Sequence, residues 1–280
     1  MKKTMLRTGR RFRSAACISL LMSVTACTTV QTTSPGAIGV SRSQQMSVLI
    51  SEAQMQQEAQ KAYVQVVQEQ REKGKLNVDA ALTRRVRAIT TRLIPASTAF
   101  RPDARNWNWE VNVFDSPDIN AWVMPGGKIG VYSGLVTRLD LSDAEIAAVL
   151  GHEIAHALRE HARERASQQV GAQVLITGAA AVLGAGSVGS DLGNVFYSTF
   201  FGLPHSRLQE TEADRIGVEI AARAGYDPRA AVTLWQKMAA KAGGSGGPQF
   251  LSTHPSAENR IRDLQEYSQR VLPLYQRTQP

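Results

Sequence analysis

The segment Leu141-Ser-Asp-Ala-Glu-Ile-Ala-Ala-Val-Leu-Gly-His-Glu-Ile-Ala-His156 constrains this chain more than any other. It ends in His152-Glu153-Ile-Ala-His156. Positions i and i+4 of an α-helix lie one above the other on one face, so both imidazoles can reach a single ion. Glu153 stands about 100° further round, where a carboxylate can hold a water bound to that ion. Two neutral imidazoles, and a carboxylate that takes a proton from a metal-bound water, form the zinc-peptidase arrangement. Ser142 and Glu145 predict a capping box at the helix start. Ile146, Val149, Leu150 and Ile154 predict a buried apolar stripe. Gly151 costs about 1 kcal/mol of helix propensity, and its place predicts the close approach of another segment.

A second stretch, Arg207-Leu-Gln-Glu210-Thr-Glu212-Ala-Asp214, supplies what the first lacks. Glu210 and Asp214 are again i and i+4. A glutamate ligand, and an aspartate hydrogen-bonded to a ligating imidazole, would complete a His₂Glu site with its outer partner. The other common third ligand, a histidine ten positions after the first, is excluded because residue 162 is Ala. Ser252-Thr-His254-Pro255-Ser256 adds a third histidine, held extended by the proline that follows it. His254 reads as a transition-state donor, an alternative zinc ligand or a surface histidine, and sequence alone favours the last.

The formal net charge of +8 says little about partners. Lys2, Lys3, Arg7, Arg10, Arg11 and Arg13 all lie in the first thirteen residues, and without them 26 basic face 24 acidic residues. That balance gives no argument for nucleic-acid binding. The same basic start, the apolar run to Ala26 and Val24-Thr-Ala-Cys27 predict a lipoprotein signal peptide over 1–26, with Cys27 as the lipidated first mature residue. The boundary resembles the bacterial lipobox, and Thr rather than Asp at position 28 points to the outer membrane. Cys17 would leave with the signal, so the mature domain has no thiol for a disulfide or a metal.

Residues 27–43, polar and small with Pro35 and two nearby glycines, predict a flexible lipid-anchored tether. Helical spacing follows from about Gln44 to Lys73 and from Asp79 to Ile94, with Pro95 as a break. Trp107 to Phe114 alternates as a strand does, and Ile119–Met124 and Lys128–Tyr132 read as two strands around Pro125-Gly-Gly127. A strand edge beside a zinc cleft could accept an extended peptide through main-chain hydrogen bonds, although an ordinary core hairpin fits the pattern as well. The helix after His156 is expected to run on through Arg159, Glu160 and His161. Residues 170–189 lack charge; a semi-buried helical insertion near the cleft fits their glycine content better than a membrane span. Phe196, Phe200 and Phe201 either bind apolar substrate or close the core. A helix from Pro228 to about Lys241, a Gly-rich loop over 243–247 and a last helix with Ile261, Leu264 and Tyr267 complete a domain over 44–272, followed by a tail over 273–280.

Taken together, His152-Glu-Ile-Ala-His156, Glu210-Thr-Glu-Ala-Asp214, and Thr253-His-Pro-Ser256 with Arg260 resemble the zinc metallopeptidases related to HtpX and the CAAX prenyl protease. Asn120-Ala-Trp-Val-Met-Pro-Gly-Gly127 is similar to another segment of that family. The lipobox resembles its bacterial periplasmic lipoprotein branch, the BepA-like and LoiP-like proteins. The resemblance implies an α+β fold: a mainly helical zincin-like metallopeptidase domain with a small antiparallel sheet beside the zinc cleft. It implies one Zn²⁺ on His152, His156 and Glu210 (not Glu212), Asp214 in the outer shell, Glu153 as the base and His254 near the metal, either gating it or stabilising the oxyanion. The expected activity is that of a gluzincin-type zinc endopeptidase in protein quality control. It would degrade unfolded or misassembled periplasmic and outer-membrane proteins, anchored to the outer membrane and possible company for its assembly machinery. A zinc-stabilised lipoprotein chaperone or scaffold without turnover is the competing expectation; it would have no use for Glu153.

Overall fold

The computed structural model of the protein describes residues 27–177, 192–242, 248–255 and 259–279. The expected signal peptide, the 178–189 part of the apolar run and the 243–247 loop lie outside them. No helix among the described residues is long and apolar enough to cross a membrane.

The first described segment departs from expectation. Strand β1 (Cys27–Val30) pairs antiparallel with β2 (Gln44–Ser47), placing Cys27 opposite Ser47. The chain between them is not a flexible tether. Ile38, Val40 and Thr33 are buried, and the Ala37 and Ile38 N–H groups both donate to the Glu219 carboxylate at 3.1 Å. Gly36 adopts φ +65°, where a Cβ would lie 2.4 Å from the Phe100 ring. Small residues here serve close packing, not freedom.

Residues 44–47 being strand, the first long helix, α1 (Glu52–Glu72), starts later than its periodicity suggests, at a Ser51/Gln54 capping box. Helix α2 (Ala80–Ser97) runs past the expected break, with Pro95 held inside its last turn. After a short 3₁₀ turn come β3 (Glu110–Phe114), β4 (Ala121–Met124) and β5 (Lys128–Tyr132). Trp107 and Trp109 precede the strand and stack at 5.5 Å instead of joining it. β4 and β5 pair antiparallel around Gly126 and Gly127, both at positive φ. β3 joins β5 in parallel, with Glu110 opposite Lys128, so β4 is left as an edge. The alternation along β4 divides two cores: Ala121 and Val123 face one, Trp122 and Met124 the other.

Short helix α3 (Ser133–Leu139) leads into α4 (Asp143–Leu158), which carries His152 and His156. The predicted capping box is present, and every residue from Glu145 to Leu158 is buried. α4 ends at Leu158, earlier than expected: Glu160 takes φ +51°, and a new helix, α5 (His161–Thr177), starts at His161. Helix α6 (Leu192–Tyr197) continues into a π-helical turn over Ser198–Gly202. Helix α7 (Arg207–Arg223), which carries Glu210 and Asp214, makes the most extensive packing of any element with α4. They cross at two glycines: a Cβ on Gly151 would lie 2.8 Å from the Gly217 carbonyl oxygen, and one on Gly217 would lie 2.7 Å from the His152 nitrogen. That crossing is the close approach Gly151 predicted. Helix α8 (Ala230–Lys241), the turn α9 (Phe250–Thr253) and α10 (Arg260–Gln276) close the far side. α10 passes through Pro273, so the tail expected from 273 begins only after Gln276. The whole is α+β, as the sequence predicts.

Candidate metal centre

Two glycines bring the backbones of α4 and α7 together, and their side chains meet at one point. His152 Nε2 lies 3.1 Å from His156 Nε2 and 3.6 Å from Glu210 Oε2, and His156 Nε2 lies 3.3 Å from Glu210 Oε1. Two ligands about 2.0–2.1 Å from a tetrahedral zinc stand about 3.3 Å apart. The three donors therefore have the mutual spacing that one such ion requires. Bare imidazole nitrogens facing each other and a carboxylate repel unless a cation sits among them. The residues fit a zinc ion.

His254 is not on the surface. It is buried at the end of α9, with Nδ1 3.0 Å from Glu210 Oε1 and 3.3 Å from His152 Nε2. His152, His156, Glu210 and His254 can thus offer four donors to one ion. Glu153 is also buried; its Oε1 faces His254 Nε2 at 3.4 Å and takes no hydrogen bond among the described residues. Burial pushes the Glu153 carboxyl up from its ordinary range, and the neighbouring histidines only partly offset that. An unpartnered carboxylate oxygen beside a metal cluster is poised to take a hydrogen bond from water.

The outer partners are as specific. Asp214 Oδ1 lies 2.9 Å from His152 Nδ1, the place the i, i+4 spacing predicts for it. Arg260 donates to both Asp214 oxygens at 2.7 Å and to Glu210 Oε2 at 2.6 Å, with its guanidinium 3.5 Å over the Trp235 ring. Burial alone would raise the Glu210 carboxyl, yet His254, His156 and His152 hold it well below its usual value. Asp214 is likewise held low against burial, by Arg260 and then His152. Burial drives His156 well below the ordinary imidazole value, which keeps it neutral and able to ligate.

Spacing alone misses three residues. His161, wholly buried, places Nδ1 2.8 Å from His156 Nδ1 and Nε2 3.1 Å from Glu212 Oε2. His205 lies against His156 with ring centroids 3.9 Å apart. Arg165 donates to His205 Nδ1 and, at 3.1 and 2.6 Å, to the Thr199 carbonyl of the π-turn. Histidine was rare enough here, five in the chain, for His161 and His205 to have been flagged on that ground.

A cavity of about 320 Å³ opens beside the cluster, reaching Glu153, His156 and His254 on one side and the edge strand β4 on another. Its aromatic wall is Trp122, Tyr132, Tyr197, Phe200 and Phe201, with Phe200 and Phe201 at 6.4 and 6.3 Å from Trp122. Both phenylalanines thus line the cleft, while Phe196 is buried in the core.

The sequence model of peptidase family M48 matches residues 80–268. Among relatives, "Mitochondrial metalloendopeptidase OMA1" of Arabidopsis thaliana is 38% identical over 174 residues, 61% of this chain and 34% of that protein. "Metalloendopeptidase OMA1, mitochondrial" of Bos taurus is 37% identical over 200 residues, 68% of this chain and 38% of the relative. "Beta-barrel assembly-enhancing protease" of Escherichia coli (strain K12) is 27% identical over 204 residues, 70% of this chain and 41% of its own. The chain spans about a third to a half of the length of the curated relatives it matches.

Proposed function

The chain belongs to peptidase family M48, and from that premise we propose that it is a zinc-dependent endopeptidase acting on unfolded or misassembled proteins. The observation that carries the reading is the placing of Glu153. Its buried carboxylate, whose Oε1 takes no hydrogen bond among the described residues, stands next to the donors of His152, His156 and Glu210, where a scaffold would have no use for it. When bound, zinc supplies a water acidified towards a pKa of about 7 and polarisation of the scissile carbonyl. His152, His156 and Glu210 would hold it. Glu153 accepts the water's proton and returns it to the leaving amine. Asp214 fixes the ring of His152, and Arg260 fixes Asp214 and Glu210 together. His254 stands where it can occupy the remaining ligand position or face the developing oxyanion.

The cleft favours an extended chain over a folded one. Among the described residues β4 offers an unpaired edge at the cavity wall, and a strand can add itself there by main-chain hydrogen bonds. The aromatic wall then takes an apolar side chain, which folded proteins keep inside and unfolded ones expose. Hence the substrate class. We assign the protein to the bacterial lipoprotein branch on its lipobox, with Cys27 as the lipid-bearing residue and the periplasmic side of the outer membrane as its place. Cys27 is exposed opposite Ser47, and Ser47 is followed by exposed Val48 and Leu49, which suits that end for a lipid surface. Kinship with the E. coli relative is the argument for outer-membrane assembly machinery as a partner.

The test is cleavage of casein by the mature protein beside its Glu153→Gln variant. The reading expects loss of at least about a hundredfold in rate, since general-base catalysis contributes about 10²–10⁴-fold. Equal rates would remove Glu153 from the chemistry.

A further inference from the structure

We infer that His161, Glu212 and Arg42 form a proton-fixed relay that orients His156 from behind, making the N-terminal segment part of the metal centre. The inference rests on the metal assignment above and extends it to residues with no assigned role.

His156 Nε2 faces His152 Nε2 and Glu210, so it must be bare to ligate, and its one proton sits on Nδ1. That Nδ1 lies 2.8 Å from His161 Nδ1, which must therefore accept. His161 then carries its own proton on Nε2, 3.1 Å from Glu212 Oε2. Each donor meets an acceptor, and the other tautomer of His161 would set two N–H groups head-on and turn a lone pair towards a carboxylate. Asp214 Oδ1 stands 2.9 Å behind His152 Nδ1 with no residue between them. The two ligating rings are thus each backed by a carboxylate from α7, one through an intervening imidazole.

Glu212 is itself clamped. Arg159 donates to both its oxygens at 3.1–3.2 Å, and Arg42 reaches it through Nε at 2.6 Å and Nη2 at 3.0 Å. Arg42 also bridges to Glu164, which in turn accepts from Gln44 and Gln209. Arg42 and Gln44 belong to the segment between the Cys27 end and α1. Hydrogen-bonded outer partners of this kind change metal affinity by about 10–100-fold when lost. Anything that lifts residues 27–47 off the domain would loosen the ring of His156 and weaken zinc binding.

The measurement is zinc affinity by chelator competition in the Glu153→Gln background, where turnover plays no part. His161→Phe, which keeps a ring and loses the relay, should bind zinc about 10–100-fold more weakly. Its cobalt-substituted form should also show an altered visible spectrum. Arg42→Ala should lose affinity in the same direction and Arg42→Lys should recover part of it. A folded His161→Phe protein with wild-type affinity and spectrum overturns the relay. Where that variant does not fold, nitrogen NMR of the zinc-bound Glu153→Gln protein decides: the Nε2–H tautomer of His161 supports the relay and the Nδ1–H tautomer overturns it. Loss of zinc binding in the Glu153→Gln parent would instead strike the metal assignment beneath.

Discussion

Replacing Arg42 by Ala tests whether the N-terminal segment is a structural strap. The guanidinium touches Glu164 at 2.5 and 3.0 Å and Glu212 at 2.6 and 3.0 Å, and both carboxylates are almost wholly buried. Removing one member of a buried ion pair costs about 3–5 kcal/mol, because the charge left behind stays buried. Two facts reduce that figure. Arg42 is itself 26% exposed, so water replaces part of what is lost. Arg159 and His161 still serve Glu212, while Gln44 and Gln209 still serve Glu164. A loss of about 2–3 kcal/mol remains, which is a Tm drop of about 4–12 °C for a domain of this size. The pH dependence follows from the carboxyls. Burial would raise Glu164, but Arg42, Gln209 and Gln44 hold it below its usual value. Burial would raise Glu212 too, but His161, Arg42 and Arg159 push it down to about 2. Groups lowered on folding stabilise fully above their unfolded pKa of about 4.3, and that contribution is lost as pH falls through the folded value. Calorimetry of both proteins should therefore show the widest Tm gap between about pH 5 and 7, narrowing towards pH 3. A gap under about 2 °C at pH 7, or one that widens on acidification, would refute the reasoning.

Other perturbations test other joints. Gly217→Ala would drive a Cβ to 2.7 Å from the His152 nitrogen; overpacking of about 1–3 kcal/mol should appear as a lower Tm with weakened zinc binding, and wild-type behaviour on both would deny that this crossing sets the site. His254→Ala should raise casein cleavage at least about twofold if its imidazole holds the fourth position, whereas a fall would mark it as the oxyanion donor. Chelation with 1,10-phenanthroline should abolish cleavage and lower Tm, both restored by Zn²⁺; a Tm that does not move would show that the ion contributes nothing to the fold.

How much of this was legible in the chain depended on how local the cause was. His152, His156, Glu210 and Asp214 are paired by a four-residue helical repeat, and the repeat alone predicts their faces. Gly151 announced a close crossing because a glycine in a buried helix needs a reason, although nothing named Gly217 as the other half. The strap was illegible for the opposite reason. Residues 27–43 look like a linker by composition, and what pins them is Glu219 and Glu212, some 170–180 positions away in sequence. His254 read as a surface residue because its burial depends on α9 folding over the cluster. Arg260 belonged to a resemblance before it had a role, which only the meeting of α7 and α10 provides. The break at Glu160 hid the reach of His161, since a continuous helix would have turned that ring elsewhere. β3 pairs in parallel because β4 intervenes in sequence but not in space, a matter of topology that strand pattern does not encode.

Zinc content per folded chain, measured on wild type, Glu210→Ala and Glu153→Gln side by side, bears most directly on the convergence of α4 and α7. One equivalent in wild type and in Glu153→Gln, with loss from Glu210→Ala, is the predicted result. A Glu210→Ala protein that keeps its full equivalent at undiminished affinity would contradict it.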